Sequence, residues 1–163
     1  MDKAVAALVL IAVLALLILG EIYFSLERRR VKAASMMAKI RFDDWLSSVR
    51  DMAEACGADG AGISEPLRLL EPGGTKDPSV RADAANRILA WAKQTLAEHA
   101  DDDGAVSCAR RATDAWLAVE DLRDLYNRAV GDLNYGLDGK IVGRVGRLFR
   151  FRKMERLSDL SLL

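Results

Sequence analysis

From Ala4 to Gly20 the chain carries 17 consecutive uncharged residues, nearly all apolar; Glu21 interrupts, and Ile22, Tyr23, Phe24 and Leu26 resume. At ~1.5 Å per residue the uninterrupted run covers only ~25 Å, whereas continuing to Leu26 gives ~34 Å, enough for a hydrocarbon core. The pattern therefore predicts a transmembrane anchor over residues 1–26, with Tyr23 and Phe24 at headgroup level. Glu21, near the end of the span, is expected at the interface. A cleaved leader fits less well. The residues before the run offer only Asp2 and Lys3, Leu19-Gly20-Glu21 has no small-x-small site, and Arg28-Arg29-Arg30 with Lys32 follows as a stop-transfer cluster.

Beyond the anchor the apolar period is helical throughout. Ala38, Phe42, Trp45, Val49, Met52 and Cys56 alternate by four and three along one face, and nothing from Leu26 to Cys56 breaks a helix. Residues 57–77 hold two of the three prolines and five of the twelve glycines, which predicts a mobile loop with one short turn near Leu67–Leu70. A second helix opens at Asp77, a capping residue followed by Pro78, and its apolar positions are Ala84, Ala85, Ile88, Leu89, Trp91, Ala92 and Leu96. It ends near His99. After the Asp101-Asp102-Asp103-Gly104 turn, a long helix over about 105–135 shows two heptad columns. One is Ala105, Ala112, Val119, Tyr126 and Leu133; the other is Cys108, Ala115, Leu122 and Ala129. Trp116, Val130 and Leu137 widen this coiled-coil-like strip, so the helix packs on more than one neighbour.

The expected fold is all-α: a single transmembrane helix continuing into an antiparallel three- to four-helix bundle over 27–139, then a basic amphipathic tail over 140–163. If the helices alternate in direction, Cys56 and Cys108 fall at opposite ends, tens of ångströms apart and beyond disulfide reach. The long helix would then leave the membrane, starting the tail far from the bilayer, so the tail is expected to fold back on the bundle.

Composition adds compartment more than chemistry. With 51% hydrophobic residues and two cysteines in 163, the chain is neither simply disordered nor a disulfide-stapled miniprotein. Its 24 basic and 24 acidic residues are segregated: 7 against 3 in residues 1–41, 10 against 19 in 42–139, and 7 against 2 in 140–163. The basic residues after the anchor outnumber those before it. The positive-inside rule thus places the N-terminus outside and the bundle in the cytoplasm, where both cysteines stay reduced.

In the tail, Ile141, Val142, Val145, Leu148 and Phe149 share one face, and Lys140, Arg144, Arg147 and Arg150 the other. With Arg28, Arg29 and Arg30 these cations are candidates for contact with a membrane surface or partner. Tyr126, Asn127, Val130, Asn134, Leu148, Phe149 and Phe151 lie in the stretch Tyr126-Asn127-Arg128-Ala129-Val130, Asp132-Leu133-Asn134, Ile141-Val142, Leu148-Phe149 and Phe151. That stretch resembles the C-terminal signature of the LemA family. The chain departs from that pattern at Ser47–Asp51 and Gly136–Lys140, as a divergent member would. The resemblance implies a bacterial membrane-anchored helical bundle and no known catalysis. Read physically, the two asparagines can hydrogen-bond to a neighbouring helix or the returning tail, and the phenylalanines can anchor it.

Other chemistry is thin. His99 with Asp101, Asp102 and Asp103 lacks metal-ligand spacing. The glycines at 139, 143 and 146 make no phosphate loop, and the paired acids Asp43/Asp44 and Glu120/Asp121 point in different directions. No catalytic set, cofactor or metal is expected. Seven cations with interleaved phenylalanines could suit nucleic acid, but the tether and the acidic middle favour membrane or intramolecular use. The expected partners are the lipid bilayer, a protein of unknown identity and a second copy of the chain, with no nucleic acid. The expected role is a non-enzymatic scaffold or adaptor. The alternative is a sensor binding a small molecule or lipid near Trp45, Trp91 and Trp116.

Overall fold

A computed structural model describes residues 3–57, 62–98 and 103–157. Among these residues the chain is all-helical, with five helices and no strand: α1 (Lys3–Cys56), α2 (Ser64–Leu70), α3 (Pro78–Glu98), α4 (Asp103–Asp138) and α5 (Val142–Leu148). The 54 residues of α1 follow from the absence of proline and interior glycine apart from Gly20. Its first part is long and apolar enough to cross a membrane, and nearly all of that stretch is exposed. The chain divides into two compact units. One comprises Met1–Ala34 with Leu125–Arg156; the other is built on Ser35–Asp124. This division cuts the chain differently from the consecutive stretches read along the sequence.

In the second unit the α1 stripe reads as the periodicity requires: Ala38, Phe42, Trp45, Val49 and Met52 are buried, with Cys56 half-buried at its edge. Ala84, Ala85, Ile88 and Ala92 of α3 complete this core with Ala109, Ala112, Trp116 and Val119 of α4. Trp45 packs in a tilted arrangement against Trp116, ring centres 4.7 Å apart, and against Phe42 at 5.3 Å. On α4 the second column differs from the expected one. Cys108, Ala115, Leu122 and Ala129 are only half-buried, while Ala109, Trp116, Val130 and Leu137 are buried. The seam thus runs through the residues one step further along, because Trp116 is the large side chain that Trp45 meets. Position 123 of that column holds an arginine, at the boundary between the units.

Residues 57–77 are not simply a connection. Within them α2 packs along α3: Arg87 reaches Glu65 at 3.3 Å, and Arg81 donates to the Leu70 and Thr75 carbonyls, both at 3.2 Å. The same guanidinium lies 5.9 Å from the Phe42 ring centre, and its burial lowers its pKa from the ordinary arginine value. The start of α3 is therefore held at the level of Phe42, back along α1.

Helix directions follow from these contacts. Trp45 meets Trp116 and Asp51 meets Arg111 at 3.2 Å, so α4 runs against α1. The step from Glu98 to Asp103 spans at most ~18 Å, so α3 must end where α4 begins and therefore runs with α1. Strict alternation is thereby corrected: α2 and the segment after it return the chain before α3 starts. Cys56 and Cys108 consequently lie towards the same end. The Arg111 guanidinium that pairs with Asp51 also reaches the Cys108 Sγ at 3.6 Å.

Asp77 caps α3 as its position before Pro78 predicts. Its Oδ1 accepts from the Ser79 backbone N–H at 2.9 Å and from the Ser79 hydroxyl at 2.7 Å. These bonds, the hydroxyl foremost, hold the carboxyl below its ordinary range. A carboxyl depressed on folding stabilises above its unfolded pKa and stops doing so as pH falls through its lowered value. Asp77→Ala is therefore expected to lower the melting temperature at pH 7, and the gap to the parent should narrow as the pH falls below the ordinary carboxylate range; circular dichroism melts from neutral to acid pH check both parts.

Candidate functional site

The first unit is organised around Phe24, which is fully buried on α1. Its ring fits a slot between two glycines. A Cβ on Gly146 would stand 2.5 Å from Phe24 Cε2, and one on Gly136 would stand 3.2 Å from Cε1. Tyr23 packs edge-on at 5.2 Å, and Phe151 covers the ring at 5.4 Å. One turn earlier, Gly20 lets Val145 approach: a Cβ there would meet Val145 Cγ1 at 2.5 Å. The α4 residues Tyr126, Val130, Leu133 and Leu137 are buried in the same unit.

The chain reaches this slot by two turns. After α4, the Gly139 N–H bonds to the Gly136 carbonyl and the Gly143 N–H to that of Gly139. After α5, the Phe151 N–H bonds to the Gly146 carbonyl and the Arg150 N–H to that of Arg147, with Arg150 at φ 62°. This paired pattern is a Schellman turn, usually built on glycine at the left-handed position, and it sends Phe151 back onto Phe24. The remaining tail runs back along α4. Asn134 brackets Met154, its Nδ2 donating to the Met154 carbonyl at 2.7 Å and its Oδ1 accepting the Met154 N–H at 3.0 Å. Lys153 pairs with Asp138 at 2.6 Å, and Arg156 lies against Gly131.

Beside this packing lies a cavity of about 880 Å³, walled by α1 on one side and by the end of α4 and the start of α5 on the other. Leu16, Leu19 and Val142 line it, with Tyr23, Tyr135 and Lys140 also on its wall. It is apolar with a polar fringe, which suits an alkyl chain carrying one polar end. Of the charged groups on its wall, Asp138 is engaged by Lys153, whereas Lys140 has no ion-pair partner among the described residues. The same holds of Arg144, Arg147, Arg150 and Arg152, all exposed.

A second buried ionic group sits on the α1 seam. Glu27 is 5% exposed; its Oε1 accepts from Arg30 at 2.8 Å, and its Oε2 has no hydrogen-bond partner. Sequence reading passed over it, although its place three residues after Phe24 and four before Val31 puts it on the buried face.

Of the residues singled out from sequence, Tyr126 and Val130 are buried on α4, and Asn127 is half-buried beside them. Burial pushes the Tyr126 hydroxyl pKa up. Asn134 and Phe151 hold the tail as described, while Leu148 and, less so, Phe149 are exposed. Arg28, Arg29 and Arg30 are exposed, with Arg30 bound to Glu27. Phe24, expected at headgroup level beside Tyr23, is instead fully buried within the chain; Gly136 was missed, and Gly146, read only among glycines that make no phosphate loop, gives its signal once a ring is placed against it. His99, Asp101 and Asp102 lie outside the described residues, as does the side chain of Asp103. Among the described residues no group of three His, Cys, Asp or Glu could hold a metal. Trp45 and Trp116 fill the space between them, with Trp91 half-buried at the core edge and the Trp45 indole N–H buried without an acceptor. No family model, curated protein or solved structure matches the chain.

Two substitutions probe the slot. Asn134→Ala removes two partly exposed hydrogen bonds together worth about 1 kcal/mol, so limited trypsin cleavage after Arg152 and Lys153 should quicken about fivefold. Gly146→Ala forces a methyl into the Phe24 ring and should cost about 1–3 kcal/mol, measurable as loss of amide protection across α5 by hydrogen exchange.

Proposed function

We propose that this chain is a membrane-anchored helical-bundle protein, a divergent LemA-like member, acting without catalysis as a scaffold or adaptor on the cytoplasmic face. The observation that carries this reading is where the charge collects. The unit holding the exposed apolar stretch contains 13 basic and 6 acidic residues, net +7, and the remaining residues contain 11 and 18, net −7. An apolar span ringed by cations suits a bilayer with an anionic inner surface, where each juxtamembrane Lys or Arg contributes about 1 kcal/mol. Further along α1, Met36, Met37 and Ile40 form an exposed apolar cluster. Flexible thioethers of this kind suit a protein partner, including a second copy of the chain.

The second reading, a lipid- or small-molecule-binding bundle, is favoured by the apolar cavity beside the anchor, in place of the tryptophan cluster that the sequence suggests. The family resemblance adds a prior and rests on residues 126–151 alone.

Topology is the decisive test. Reporters active only in the cytoplasm or only outside it, each fused after Leu163, are expected to give the cytoplasmic signal. An exterior signal would overturn the orientation and recast the acidic unit as an envelope-facing module.

A further inference from the structure

We propose that the cavity between α1 and the α4–α5 turn holds one acyl chain of an anionic glycerophospholipid, with the phosphate received by Lys140. The proposal rests on the reading of α1 as a membrane span and specifies what that span carries.

Three observations support it. The α1 wall of the cavity belongs to the apolar stretch itself, extending from Ala12 to Tyr23, ~16 Å along the helix. In a bilayer, such a wall faces hydrocarbon, and an open groove of about 880 Å³ whose lining is mostly apolar takes up hydrocarbon in preference to water. The cavity is also built into the fold: close approach at Gly20 and Gly136 and the bonded turn at Gly139 and Gly143 hold its second wall in place. Finally, its polar fringe selects a charge sign. With Asp138 neutralised by Lys153, Lys140 is the uncompensated charge on the wall, and Arg144 and Arg147 of α5 are exposed and unpaired among the described residues. A phosphate bearing a net negative charge complements this set, whereas a zwitterionic headgroup brings its own cation to an already positive rim.

The test uses the full chain. It is first floated with phosphatidylcholine vesicles containing phosphatidylglycerol, then extracted in mild non-ionic detergent with the two lipids at equal amounts, and retained lipid is counted by native mass spectrometry. One phosphatidylglycerol per chain is expected in preference to phosphatidylcholine. Lys140→Gln should cut that preference about fivefold. Ala15→Phe, which fills the cavity from α1, should reduce retention of both lipids without changing flotation or helix content, and Val142→Phe should do the same from the opposite wall.

Equal retention of the two lipids, or a preference unmoved by Lys140→Gln, overturns the proposal, as does retention unaffected by both filling variants; a chain that floats yet retains no lipid overturns it while leaving the anchor reading intact. Failure to float overturns the anchor reading and this proposal with it.

Discussion

The first unit depends on one aromatic ring having no room to move. Phe24 is fully buried: Gly136 of α4 and Gly146 of α5 leave room at opposite edges of its ring, and Phe151 and Tyr23 pack against it. Glycine weakens a helix by about 1 kcal/mol relative to alanine, so two such residues in adjoining helices are costly unless packing offsets them. Here it does. The missing side chains let α4 and α5 approach α1 closely enough to pack against opposite edges of the phenylalanine ring, with dispersion gained from each. From that enclosure follow the sharp turn after α4, the Schellman turn at Arg150, and the return of the tail along α4 to Asn134.

Legibility in the sequence followed the length of the periodic signal. Six α1 positions from Ala38 to Cys56 repeat by four and three, and their burial matches the pattern, because a stripe that long has one way to face a core. The Asp77-Pro78 start was equally clear, since both residues act through local backbone chemistry. On α4 the first column was legible and the second was displaced by one step: apolar residues flank the seam on both sides, and only the partner helix decides which flank is inner. Trp45 decides it by packing against Trp116. The direction of α3 was hidden for a different reason. Proline and glycine announced a break over 57–77 with a short turn near Leu67–Leu70, but not that the turn is a seven-residue helix starting at Ser64, whose place depends on the long-range Arg87–Glu65 and Arg81–Leu70 contacts.

The candidate site shows the same division. The expectation that an asparagine would tie down the returning tail holds at Asn134, whose amide fits a backbone donor and acceptor at once. The expectation that Phe149 and Phe151 would act as a pair does not. The Schellman turn rotates successive residues apart, taking Phe151 inward and leaving Phe149 outside. The cavity itself had no sequence signature, for it is a space between elements whose approach is set by absent side chains.

Charge gives the two units opposite characters through the same residue types. In the second unit, ion pairs join separate elements: Arg50 with Glu71 at 2.7 Å, Arg87 with Glu65, and Arg111 with Asp51. Each is exposed and contributes little alone, and they tie three of that unit's cations to carboxylates on other elements. In the first unit, Lys153 closes the tail onto Asp138, while Lys140, Arg144, Arg147, Arg150 and Arg152 project from α5 and its flanks without a carboxylate among the described residues. Like charges gathered this way repel one another and raise the energy of the compact state unless an external counter-charge offsets them. None of these five side chains pairs with a carboxylate among the described residues, so their charge is not what holds the tail in place. Their common exposure beside the apolar stretch of α1 makes sense as a property of what that surface meets.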